Sequence, residues 1–286
     1  MGKLTFTKMH GTANDFILLD ASTGTVPAHA SALAQRLCQR HTSIGADGVI
    51  WILPPQEGGD LKMRIFNADG SEALMCGNGT RCVAKYAYER GLMHASPIRL
   101  ESNAGIKVMQ LNLSQDGAVV ESVTVDMGAP RFDPAALPAH VQGEEWLKKH
   151  LDFAVFSHEV TLLSMGNPHA VLFYDEDVHT LDLSTLGPAV ERNTALFPER
   201  INVEFIRVLD RHTLQMRVWE RGSGETMACG TGACAAAVAA IRNGLLEHAP
   251  VTVQLLGGAL CIDWRADGHV YMTGPAEFCF DGVVEI

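Results

Sequence analysis

The stretch Glu72-Ala73-Leu74-Met75-Cys76-Gly77-Asn78-Gly79 returns 153 residues later as Glu225-Thr226-Met227-Ala228-Cys229-Gly230-Thr231-Gly232. Both copies read Glu-x-x-x-Cys-Gly-x-Gly, and the match spreads outward at the same offset. Leu61-Lys62-Met63-Arg64-Ile65-Phe66 falls on Leu214-Gln215-Met216-Arg217-Val218-Trp219, Gly91-Leu92 on Gly244-Leu245, Gly105 on Gly258 and Asn14 on Asn167. One offset without a gap from Asn14 to Gly105 marks a duplicated domain whose halves share a fold.

Each half then follows one plan. Alternating apolar residues predict strands at Leu4 to Lys8 and Ile17 to Asp20, matched by Glu159 to Leu163 and Ala170 to Tyr174. A helix is expected from Ala30 to Arg40 in the first half. A strand follows (Lys62 to Phe66; Gln215 to Trp219), then the Gly-rich loop and an Ala-rich helix. Those helices are expected at Gly79 to Arg90 and Gly232 to Asn243, each stopped by a glycine just past its end. Ile98 to Ser102 and Gly105 to Leu113 close the first half, and Val251 to Leu255 and Ala259 to Trp264 the second. The fold class is α+β, mostly strand with one central helix per half, and the Pro- and Ala-rich stretch Gly128 to Gln142 is the expected connection.

The chain has 286 residues, 47% hydrophobic and 19% charged, with a formal net charge of −11. That charge, with no basic run longer than Lys148-Lys149, argues against nucleic acid as a partner. The longest apolar run, Ala233 to Ile241, is far short of the roughly 20 residues that span a bilayer, so no membrane partner and a cytoplasmic location are expected. Of seven cysteines, Cys38, Cys82, Cys234, Cys261 and Cys279 lie in apolar settings and read as buried small side chains.

The two remaining cysteines carry chemistry. Each precedes a glycine-rich helix start, where free N–H groups and the helix dipole favour an anion. The same field is expected to favour thiolate. Two such loops across one cleft would hold a single α-carboxylate, with one sulfur on each side of its α-carbon. One thiolate then removes the α-proton while the opposite thiol protonates the other face. A lone Cys-Gly-x-Gly is most often a turn over a buried cysteine, but two at matched positions are not explained that way. Zinc fits poorly, because Cys76 to Cys82 and Cys229 to Cys234 lack ligand spacing, and no dinucleotide fingerprint follows a strand.

At these residues the chain resembles the diaminopimelate epimerase family over essentially its full length. The resemblance is carried by Met9-His10-Gly11 with Asn14-Asp15-Phe16, Phe66-Asn67-Ala68-Asp69-Gly70-Ser71-Glu72, and Met165-Gly166-Asn167-Pro168-His169. Glu199-Arg200-Ile201-Asn202-Val203, Glu220-Arg221-Gly222 and Tyr271-Met272-Thr273-Gly274-Pro275 complete it. The related proline racemases have a first loop like Cys-Gly-His, where Asn78 stands here.

That resemblance implies interconversion of LL- and meso-diaminopimelate without pyridoxal phosphate or metal. Cys76 and Cys229 would be the acid/base thiols, and main-chain N–H groups of Gly77-Asn78 and Gly230-Thr231 would hold the reacting carboxylate. Asn14, Asn67, Asn167, Asn202 and Arg221 would orient the substrate, with Arg221 on the distal carboxylate. Glu220 would meet an ammonium group, His169 would lie near the thiols, and Tyr271 matches a homodimer-interface position. Each domain would be a barrel-like sheet round its helix, the first comprising 1–126 plus 275–286 and the second 127–274. Two departures stand out: Ala13 replaces the usual Gly, denying that loop a conformation open only to glycine, and Gly48 replaces a Gln, leaving only a main-chain contact. The alternatives are a racemase of another amino acid, a non-catalytic amino-acid-binding protein, and a dithiol redox protein, whose reacting pair is usually close in sequence.

Overall fold

The structure, a computed structural model, describes residues 2–133, 137–141, 143 and 145–286. The chain divides into two units, Met1–Asp126 with Thr273–Ile286, and Met127–Met272.

In the first unit, β1 (Lys3–Gly11) and β2 (Asn14–Asp20) form an antiparallel hairpin through Thr12 and Ala13. Both turn residues have positive φ, 53° and 60°, the geometry that matches strand twist in a two-residue turn. Ala13 therefore does take the left-handed form. That region is open to a non-glycine residue at a cost of about 1–2 kcal/mol, so the turn adopts no conformation reserved for glycine.

Helix α1 (Ala30–Leu37) leads to β3 (Gly48–Leu53), parallel to β2. The helix ends three residues before the expected Arg40, where the Gly45 amide turns back onto the Leu37 carbonyl. Next come β4 (Leu61–Asn67), antiparallel to β3, and the two-residue β5 (Glu72–Ala73). Helix α2 (Gly77–Glu89) is followed by β6 (Ile98–Ser102), parallel to β4, then by β7 (Gly105–Leu113) and β8 (Val120–Asp126), each antiparallel to the strand before.

The second unit repeats the plan. After β9 (Lys149–Asp152), β10 (Ser157–Ser164) and β11 (Pro168–Tyr174) make the hairpin. Helix α3 (Leu183–Glu191) leads to β12 (Asn202–Asp210), parallel to β11, and to β13 (Thr213–Glu220) and β14 (Gly224–Thr226), antiparallel in turn. Helix α4 (Gly230–Arg242), β15 (Val251–Leu255), parallel to β13, and β16 (Gly258–Trp264) follow. Two strands finish the chain: β17 (Val270–Gly274) and β18 (Glu277–Glu285), the latter running antiparallel along β1.

The strands of each unit wrap its long helix. α2 is buried continuously from Gly77 to Ala87 and packs on β1, β2, β7 and β8; α4 is buried almost throughout, its wall made mostly of alanine. A helix apolar nearly all round, as α4 is, must be enclosed, whereas α2 also buries Arg81 and Lys85. Both helices end alike. Gly91 and Gly244, at φ 74° and 70°, donate to Tyr88 and Ile241 carbonyls, and the next amides, Leu92 and Leu245, reach back to Ala87 and Ala240. The helices start two residues earlier than expected, directly after each cysteine.

A second apolar layer lies outside each sheet. α1 covers Ile17, Leu19, Val49 and Trp51, and α3 packs with Val160, Leu162, Leu172 and Phe205. Burial on both faces is why β3 has no exposed residue. The expected link from Gly128 to Gln142 falls partly on 134–136 and 142, outside the described residues. Cys38, Cys82 and Cys234 are buried, but Cys261 and Cys279 are exposed, which corrects their reading. Both lie on strands, where alternate side chains turn to opposite faces whatever their neighbours.

At the start of β2, Asp15 is clasped by Lys8 at 2.5 Å and Arg40 at 2.7 Å, and Arg40 also holds Asp47 at 2.6 Å. Burial works against the ionised form of Asp15, but the two cations outweigh it and hold its carboxyl at about 2 instead of 3.8. A folded-state pKa below the unfolded one gives stability that is complete above about pH 4 and lost as the pH falls through 2. Asp15→Asn is expected to cost about 2 kcal/mol at pH 7, a gap that closes between pH 4 and pH 2 in denaturant titrations.

Candidate functional site

In both units the cysteine is the residue that caps the central helix. Cys76 (φ −139°, ψ 119°) and Cys229 (φ −121°, ψ 112°) are extended, while the residues after them are helical. Their carbonyls accept the Thr80 and Ala233 amides at 2.9 Å, closing the first helical bonds. The amides before those have no partner within the helix, so each turn offers N–H groups to an anion. The second glycine of each motif is needed for packing. A Cβ on Gly79 would meet Ile50 Cδ1 at 2.8 Å, and one on Gly232 would meet Glu204 Oε1 at 2.8 Å.

Around Cys76, the thiol donates to Asn14 Oδ1 at 3.6 Å, and Asn78 Nδ2 donates to the same oxygen at 3.3 Å. Asn14 is fixed from behind, its Nδ2 donating to Asp47 Oδ2 at 2.8 Å. Asp47 thus links the ion-pair cluster to the cysteine loop. Buried Arg81 braces the loop's other side, donating to Thr12 Oγ1 at 2.7 Å, Pro275 O at 3.0 Å and Gly77 O at 3.4 Å. Asn67 caps its own turn through Ser71 Oγ at 3.0 Å, and β4 brings it opposite Gly48.

Around Cys229, the sulfur accepts the Gly232 amide at 3.4 Å and lies 3.5 Å from Thr231 Oγ1. Asn167, the repeat partner of Asn14, donates to Thr231 Oγ1 at 3.2 Å. His169 is fully buried between Asn167 Oδ1, 2.9 Å from Nε2, and Glu204 Oε1, 2.7 Å from Nδ1. Asn202 grips two loops, donating to Pro168 O at 2.9 Å and accepting the Arg221 amide at 2.9 Å. The Arg221 guanidinium reaches Glu199 O at 3.3 Å, and Glu220 accepts from Thr226 Oγ1 at 2.5 Å. Tyr271 lies apart, with Arg265 stacked 3.8 Å over its ring and its hydroxyl donating to Asp267.

The structure thus gathers Asn14, Gly77 and Asn78 round Cys76, and Asn167, His169, Gly230 and Thr231 round Cys229. The expected lowering of the thiol does not hold at Cys229. Burial pushes it well above its ordinary value, Glu220 and Glu204 add to the rise, and the Thr231 and Gly232 hydrogen bonds only partly offset it. The helix-end field is real but smaller than desolvation beside two acids.

Glu204, Asp47 and Arg81 escaped the sequence reading. The available signal for Glu204 was a single acid inside the apolar run Val203 to Ile206. Among the described residues no group of three His, Cys, Asp or Glu side chains is placed to hold a metal ion.

The family model described as diaminopimelate epimerase matches residues 6–132 and 161–279. Relatives bearing that name include those of Acetivibrio thermocellus, 49% identical over 98% of both chains, and Moorella thermoacetica, 50% identical over 97% of this chain and 98% of that one. Among solved structures, a Bacillus anthracis phenazine biosynthesis protein of the PhzF family superposes with a TM-score of 0.69 at 17% identity, covering all of both chains. A probable proline racemase from Agrobacterium radiobacter gives 0.70 at 14%, over 99% of this chain and 92% of that one. At such identities the structures show a shared fold.

Gly48 explains one departure. A Cβ there would lie 2.9 Å from the Phe66 carbonyl oxygen, a backbone atom that cannot move aside cheaply, so no side chain fits at this position. Gly48→Ala is expected to lower stability by about 1–3 kcal/mol, read as a reduced Tm with both cysteines still alkylated on unfolding.

Proposed function

The chain belongs to the diaminopimelate epimerase family, and on that premise we propose that it interconverts LL-2,6-diaminopimelate and meso-diaminopimelate, with Cys76 and Cys229 as acid and base. The observation that carries this reading is the placement of each cysteine as the cap of its unit's central helix.

The chemistry follows from those caps. An α-proton next to a carboxylate is weakly acidic, because the carbanion left behind must push charge into a group already negative. N–H donors of Gly77-Asn78 and Gly230-Thr231, oriented before the substrate arrives, stabilise that charge without reorganisation. One sulfur takes the proton and the other, on the opposite face, supplies a new one; the reverse reaction exchanges the roles. Burial, with Glu220 and Glu204 beside it, pushes the Cys229 thiol up, which supports its acting as a proton donor. Asn14, Asn67, Asn167, Asn202 and Gly48 orient the substrate. Arg221 takes the distal carboxylate as a bidentate partner and Glu220 an ammonium group. The reaction needs no pyridoxal phosphate or metal in this scheme. A homodimer through the surface around Tyr271 and a cytoplasmic location complete the proposal; no helix of the described residues is long and apolar enough to cross a membrane.

In deuterium oxide, LL-diaminopimelate is expected to give meso product carrying one deuterium at one α-carbon, with no added cofactor. Cys76→Ala and Cys229→Ala should each reduce turnover by at least a thousandfold. Recovery of unlabelled LL substrate would leave a binding protein, and label appearing only in a different amino acid would move the chain to another substrate.

A further inference from the structure

The two cysteine caps rest on chemically different floors. In the first unit, Phe16 follows Asn14 by two residues, pairs with Gly48 on the next strand, and lies with Ile50 under Gly79. In the second, His169 follows Asn167 by two and pairs with Asn202 on the next strand, while Glu204, in the place of Ile50, lies under Gly232. The same architecture is built once with hydrocarbon and once with a fully buried acid and imidazole. Burying those two groups carries a desolvation penalty that the first unit shows the fold does not require. Their presence therefore calls for a chemical reason.

The hydrogen bonds supply one. Glu204 Oε1 lies 2.7 Å from His169 Nδ1, His169 Nε2 lies 2.9 Å from Asn167 Oδ1, Asn167 Nδ2 donates to Thr231 Oγ1 at 3.2 Å, and Thr231 Oγ1 lies 3.5 Å from Cys229 Sγ. The Asn167 amide turns its NH2 to Thr231 and its Oδ1 to His169, so in this arrangement Nε2 carries the hydrogen between them. The remaining hydrogen of the pair lies between Glu204 Oε1 and Nδ1. The Thr231 oxygen already accepts from Asn167, and once Cys229 is a thiolate only the Thr231 hydroxyl can donate between them.

We propose that Glu204 is a positioning residue, which through His169, Asn167 and Thr231 aims a hydroxyl hydrogen at Cys229 and so stabilises that cysteine when it becomes thiolate. The proposal rests on the reading of Cys229 as an acid/base thiol. It answers a need of that thiol, since burial and the charge of Glu220 on β13 oppose its ionisation, as Glu204 on β12 would wherever it is itself ionised. Burial likewise pushes the Glu204 carboxyl up; His169 pulls it back and Glu220 opposes. A neutral or shared proton in the Glu204–His169 pair keeps the floor from adding a full negative charge beneath the sulfur. Glu204 Oε2 has no hydrogen-bond partner among the described residues, so the pair is anchored at Oε1 alone.

The test needs no substrate, which separates it from the epimerase reading. The pH midpoint of iodoacetamide alkylation is measured for Cys229 and Cys76 separately, by peptide mass spectrometry, in the full-length protein. Thr231→Val and Glu204→Leu are expected to raise the Cys229 midpoint by about one pH unit, the worth of one hydrogen bond to a charged group. Thr231→Ser and Glu204→Gln, which keep the hydroxyl and a donor to Nδ1, should stay within a few tenths of a unit of the parent. The Cys76 midpoint should not move in any of the four. Unchanged midpoints in Thr231→Val, or equal shifts in Glu204→Gln and Glu204→Leu, would overturn the proposal. Should Glu204→Leu fail to fold, nitrogen-15 spectra of the histidine-labelled parent protein decide. Nε2 of His169 should hold a bonded hydrogen from pH 6 to 9, and finding the hydrogen on Nδ1 alone refutes the relay.

Discussion

An α-helix cannot bond its own first amides, and that deficit organises both halves of this chain. Each unit ends a strand, places a cysteine in extended conformation, and begins its central helix on the next residue. Because the helix is enclosed by strands, its start is a fixed rather than a fraying end, with first-turn N–H groups that have no partner in the helical ladder. The glycines serve that closeness: a methyl group at Gly79 or Gly232 would lie 2.8 Å from the end of the Ile50 or Glu204 side chain, which would have to shift. The hairpin asparagines, Asn14 and Asn167, reach the same turns from the neighbouring strands.

Symmetry of the backbone does not extend to the electrostatics. The Cys76 loop is braced by Asn14, Asp47 and Arg81, over an apolar floor. The Cys229 loop sits over an acid and an imidazole, beside Glu220. The two helix starts thus share a backbone plan but not the side chains beneath them: Ile50 under Gly79, Glu204 under Gly232. A symmetrical reaction does not require identical acids, only that each sulfur can hold and release a proton in its turn.

The duplication was legible because a fixed offset survives divergence of everything between the matched residues. The central helices were legible from their alanine content and glycine stops. α3 was not. Gly187 and Pro188 are poor helix formers, yet Gly187 is there because a Cβ would collide with Trp219. The exposed Cys261 and Cys279 were misread because apolar neighbours along a strand say nothing about which face a residue takes. Glu204 was hidden for the opposite reason: an acid in a strand ordinarily marks a solvent face, and only the structure shows this one turned inward against His169. The thiol of Cys229 was read from the helix field alone, without the desolvation and the facing acids that the folded chain imposes.

The proposed reaction requires two helix starts to share one carboxylate. The most direct measurement is a crystal structure of the protein soaked with diaminopimelate. The account predicts one α-carboxylate within hydrogen-bond distance of N–H groups from both Gly77-Asn78 and Gly230-Thr231, with the sulfurs of Cys76 and Cys229 on opposite faces of the attached carbon. A carboxylate held by a single helix start, or both sulfurs on the same face, would contradict it.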